Sequence, residues 1–138
     1  MKAIRSVASV VVSYVVVFAL VSLSDPVLTH FFPTQFVAGK VPPTYLLWVS
    51  TAIFAAASVI GGWLCALIAP ARIGPHLVAL FLLGEALGLL FTWRMWGQWP
   101  HWYSLTWLVV WPVCLWIGGI SRRSSAVPAP VSPVQPIS

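Results

Sequence analysis

The sequence predicts an all-α membrane protein: an antiparallel four-transmembrane-helix bundle, N-in/C-in, with a membrane-surface first loop and a disordered C-terminal tail. Three observations predict it. Of the 138 residues 60% are hydrophobic and only 7% are charged, too few charges to cover a water-soluble domain. The apolar residues gather into four runs, about 5–23, 45–69, 76–93 and 102–120. Each is close to the ~20 residues that cross a hydrocarbon core. The basic residues fall between the runs. Lys2, Arg5, Arg72, Arg122 and Arg123 collect on one side, Lys40 and Arg94 on the other. The positive-inside bias then puts both termini in the cytoplasm and the chain in a cytoplasmic (inner) membrane. Residues 1–120 form the transmembrane domain and 121–138 the tail.

The first run follows Lys2 and Arg5 and is rich in valine. In lipid every backbone group must bond within its own segment, which overrides the β-preference of valine. A cleavable signal peptide is the competing reading, but the run is longer than a usual signal core. Ser6, Ser9 and Ser13 stand at i, i+3 and i+7, one face of a helix with small, hydrogen-bonding side chains. The connection from Asp25 to Pro43 carries Pro26, Pro33, Pro42, Pro43 and Gly39 beside Phe31, Phe32 and Phe36. That aromatic content predicts a segment lying along the membrane, with a short helix opening at Asp25-Pro26.

In the second run Thr51, Ala55, Ser58, Gly62, Ala66 and Ala69 step by three or four. They trace one small-residue stripe where a neighbouring backbone can come close, closest at Gly61-Gly62. A tight turn, Pro70 to Pro75, leads to the third run, where Gly84 and Gly88 flank Glu85. Trp93, Trp96, Trp99 and Trp102 then recur every third residue. They form an interfacial aromatic surface, since indole rings prefer the headgroup zone. The fourth run contains Pro112, which frees a carbonyl one turn earlier, and Gly118-Gly119 near its end. The tail has Pro128, Pro130, Pro133 and Pro136 and no apolar period, which predicts disorder or an extended polyproline-like chain.

Glu85 is the residue the sequence singles out. A charge at the centre of a bilayer is unfavourable by roughly 2.5–3.5 kcal/mol on insertion scales, so an acid there is a functional candidate by default. Counting along the spans puts Ser13, Tyr14, Ser58 and the indole N–H of Trp111 at its depth. The expectation is a buried polar layer of Glu85, Ser13, Tyr14, Ser58 and Trp111, with close packing at Gly62, Gly84 and Gly88. No cation lies at that depth, so desolvation favours the neutral acid. Such a group serves either to bind a proton or a cationic substrate, or to lock helices together.

Other chemistries have little footing. The two cysteines, Cys65 and Cys114, lie inside apolar runs without a C-x-x-C, so a metal site or disulfide framework is not expected. His30 and His101 are the one histidine pair that the topology allows at one depth. No serine is expected to have a histidine at its depth, no catalytic motif occurs, and no cofactor is implied. The net charge of +5 is scattered and makes no nucleic-acid patch. The expected partners are membrane lipids and other membrane subunits or further copies of the chain. The leading functional reading is an accessory or assembly subunit of a membrane complex. The alternatives are a small proton-coupled transporter using Glu85 and a lipid- or quinone-linked enzyme subunit. In size, span number and a membrane-embedded glutamate the chain resembles the small multidrug-resistance transporters. Their acid lies in the first helix and this one in the third, and the resemblance carries over no residue. DoxX-like and other four-span bacterial proteins are about as similar.

Overall fold

Hydrocarbon offers no water to a backbone amide, so an apolar chain satisfies its own N–H and C=O groups in helices. The computed structural model describes residues 1–69 and 72–124 and contains α1 (Lys2–Phe31), α2 (Thr44–Ile68), α3 (Ile73–Met95) and α4 (His101–Ser124). All four are long and apolar enough to cross a membrane.

Side-chain pairings give their directions. Ser6 at the start of α1 bonds His76 at the start of α3, so these two run the same way. Trp48 stacks on Trp102 and Phe54 on Trp107, so α2 and α4 also run together. Gly61 of α2 meets Val17 of α1, and Gly84 of α3 meets Trp111 of α4. Consecutive helices therefore alternate up and down. α2 packs most extensively against α4 and then α1, while α3 touches α4 and α1 more lightly. The core is built from Val17, Ala57, Cys65, Leu77, Leu80, Trp111 and Leu115.

The tightest contact is between the backbones of α2 and α4. A Cβ on Gly62 would strike the Leu115 carbonyl, and a Cβ on Gly118 would strike the Val59 carbonyl. Each helix thus presses a glycine against the other's main chain, which is how membrane helices gain close van der Waals contact when lipid supplies no hydrophobic drive. The neighbouring glycines face elsewhere. Gly61 makes room for Val17, and Gly119 for Leu77. Each adjacent pair serves two different partners because successive helical positions point about 100° apart.

The helices exceed the predicted spans at several ends. The largest difference is α1, which continues through Asp25 and Pro26 to Phe31, where the sequence predicted a break and a surface loop. Proline removes one amide donor, leaving only the Ser22 carbonyl without its helical partner. Ser24 and Leu28, one turn apart, are buried, so the same face still packs inward beyond the proline. The first connection is accordingly shorter, residues 32–43, with Gln35 N–H bonded to Phe32 O and Gly39 at φ 79°. α3 starts at Ile73 rather than at His76 because Pro75 sits in its first turn, where amides have no helical acceptor. α4 runs through Pro112 and on to Ser124, into the stretch predicted as tail. The rest of the predicted tail, 125–138, lies outside the described residues, as do Pro70 and Ala71 of the predicted turn.

The glycine contacts rank a set of substitutions. Gly62→Ala and Gly118→Ala push a methyl into backbone and should each destabilise by about 1–3 kcal/mol. Gly88→Ala meets only Leu108 Cδ2 at 3.4 Å and Gly74→Ala meets nothing within 4 Å. Thermal unfolding in detergent, followed by circular dichroism, should show both near the parent's midpoint. Equal midpoints for all four variants would contradict the backbone contact.

Candidate functional site

Glu85 lies one residue past the midpoint of α3. Gly84 beside it is filled by the Trp111 ring, and Gly88 by Leu108, so the carboxyl borders the seam between α3 and α4. Its Oε2 is shielded from the surroundings and has no hydrogen-bond partner. Leu82 and Leu89, one turn to either side, are 58% and 53% exposed. The acid thus stands at the margin of the bundle rather than on its axis.

The expected mid-membrane donors are buried or half-buried, but none is hydrogen-bonded to the shielded Oε2 of Glu85. The Trp111 indole N–H donates to Phe81 O at 3.3 Å, one turn below Glu85. Ser58 donates to Phe54 O of its own helix at 2.7 Å. Tyr14 stacks loosely on Phe18, 6.5 Å between centroids. Ser13 is fully buried with no hydrogen-bond partner of ordinary geometry, and its polar company is the Cys65 thiol, which also sits beside Ser9. Equal depth did not give contact although α3 packs against α4, α1 and α2, because Glu85 stands at the bundle's margin while these groups face other neighbours. Depth fixes only one of the coordinates that a hydrogen bond needs.

What replaces the single layer is a row of polar contacts at different depths. Ser9 donates to Ser6 O at 2.7 Å. Ser6 Oγ then lies 2.6 Å from His76 Nε2, and His76 Nδ1 lies 2.7 Å from Arg72 O. A carbonyl can only accept, so Nδ1 carries a proton, and in the neutral ring Nε2 accepts from the Ser6 hydroxyl. This overturns the expectation that no serine shares a histidine's depth. Ser6 is the fifth residue of α1 and His76 the fourth of α3, and the two helices start at the same end. The signal was present in the sequence: in the predicted spans 5–23 and 76–93 Ser6 is second in the first and His76 is first in the third, both at the same end. The order hydroxyl, imidazole, acceptor is that of an activated nucleophile. Here the acceptor is a neutral carbonyl, which steadies an imidazolium less than a carboxylate does. The bond ties the starts of α1 and α3 together.

The opposite end is aromatic. Trp107 stacks on Phe54 at 4.1 Å, Tyr103 meets Trp107 at 5.5 Å and Trp102 stacks on Trp48 at 5.3 Å, a ladder along the α2–α4 seam. The Tyr103 hydroxyl lies beside Ser50 and Trp107. The four tryptophans read as one surface take different roles. Trp93 is 84% exposed, while Trp96 stacks on His101, Trp99 leans on Tyr103 and Trp102 belongs to the ladder. His30 sits edge-on to Phe31. Among the described residues no group of three or more histidines, cysteines or acids is placed to hold a metal ion. Comparison with known protein families, characterised proteins and solved structures finds no match.

The Ser6–His76 bond is testable by a double-mutant cycle with Ser6→Ala and His76→Phe. Hydrogen bonds between membrane helices measured in this way average about 0.6 kcal/mol, and the coupling between these two positions should be at least that large. A coupling indistinguishable from zero would show that the two side chains act independently.

Proposed function

We propose that this chain is a non-enzymatic accessory subunit of a membrane complex, and that α3 is the helix by which it meets its partner. The observation that carries the reading is the shielded, unpartnered Oε2 of Glu85 on the least enclosed helix. Of α3, the buried residues are Leu77 and Leu80, against nine in α2. A buried polar group without a partner costs about 1–3 kcal/mol. A donor supplied by a neighbouring chain across the exposed Leu82–Leu89 face would remove that cost. Such a partner is another membrane subunit or a second copy of this chain.

The orientation belongs to the same proposal. Arg5, Arg72 and Arg122 stand at one end of the bundle and Lys40 and Arg94 at the other. That bias supports an inner-membrane protein with cytoplasmic termini. The unpaired oxygen also favours one competing reading, proton exchange coupled to transport of a cationic or lipophilic substrate.

A photo-crosslinking residue at Leu82 or Leu89 of the full-length chain in its native membrane should give one discrete adduct. Glu85→Gln should keep the adduct, because an amide still hydrogen-bonds, and Glu85→Leu should weaken it severalfold. A chain that yields no adduct and runs alone as a monodisperse monomer would overturn the proposal. Proton flux in vesicles abolished by Glu85→Gln would establish the transport reading instead.

A further inference from the structure

A groove of about 360 Å³ opens between the starts of α1 and α3, lined by Ser6, Val7, Val10, Val11, Pro75, His76 and Ala79. It is independent of Glu85. Its walls are apolar along most of their length, with Val7 64% and Val11 49% exposed. The Ser6–His76 pair makes it polar at one place. Arg5 precedes Ser6, and the Arg72 carbonyl is the group that orients His76. Both arginines are exposed, and among the described residues neither forms an ion pair. The chain's two acids are far off, Asp25 near the other end of α1 and Glu85 in mid-span.

We infer that this groove binds an anionic glycerophospholipid, its phosphate held by Arg5 and Arg72 and one acyl chain laid along Val7, Val10, Val11 and Ala79. Three features converge on that chemistry. Guanidinium groups match phosphate oxygens as paired donors. Basic sites between membrane helices near the membrane surface are suited to acidic headgroups. The Ser6 hydroxyl spends its proton on Nε2, so its free lone pairs accept from a headgroup hydroxyl such as that of phosphatidylglycerol. A zwitterionic choline headgroup brings its own cation beside the arginines and no hydroxyl to donate.

The test is native mass spectrometry of the full-length chain in detergent with equimolar phosphatidylglycerol and phosphatidylcholine. Bound phosphatidylglycerol should exceed phosphatidylcholine by roughly tenfold, as two basic side chains near an acidic headgroup allow. Arg5→Gln with Arg72→Gln, both at exposed positions, should remove most of that preference and leave only the small part due to Ser6. Ala79→Phe, which fills the groove, should lower both, with circular dichroism checking that the helices persist. Millimolar inorganic phosphate should leave the lipid bound. Equal occupancy in the parent chain, or a preference undiminished by the double arginine change, overturns the site. Displacement by inorganic phosphate also overturns it, since it would mean that the arginines bind any free anion and that the groove contributes nothing.

Discussion

The fold depends on main chain touching main chain. Where Gly62 and Gly118 bring α2 and α4 together, the absence of two methyl groups lets the helices approach to backbone contact. In water a bundle closes because apolar side chains leave solvent. In lipid that drive is absent and dispersion at close range replaces it. The remaining helices are added around this pair: α1 through Gly61, α3 through Gly84 and Gly119. The aromatic ladder of Trp48, Trp102, Phe54 and Trp107 continues the same seam toward the other end.

Polar groups are distributed around that frame according to what each can reach. A serine within a membrane helix can return its proton to a carbonyl of the preceding turn, as Ser58 and Thr51 do. Such residues are small, self-satisfied and suited to packing. An ionised carboxylate has no such local solution, because it can only accept and the helix's own amides are already bonded. The Oε2 of Glu85 accordingly has no hydrogen-bond partner, whereas Ser58, at the same depth, is satisfied by its own helix.

Much of the frame was legible in the sequence. The four runs, the small-residue stripe of α2 and the paired glycines all follow from period and residue size. Two things were not. The first was how far helices persist past a proline: Pro26 removes one bond, whereas Ser24 and Leu28 keep a packing face on either side of it. A strong local breaker loses when the contacts flanking it are intact. The second was azimuth. Counting residues gives height along the membrane normal but not which neighbours stand next to one another. The order of helices around the bundle decides that, and it put Trp111 against Phe81 O, Ser13 against Cys65 and Ser6 against His76.

The paired glycines bear on motion. Because Gly61 and Gly62 fit two different neighbours, α2 cannot rotate or slide by one residue without driving Val17 or the Leu115 carbonyl into a side chain. The same holds for α4 at Gly118 and Gly119. The register of α2 against α4 is thus fixed by main-chain contacts, while α1 is fitted to α2 through the Val17 side chain. α3 meets α4 through side chains such as Leu77, Trp111 and Leu108, which can change rotamer. Of the four helices α3 is the least enclosed, and it is the one that carries Glu85.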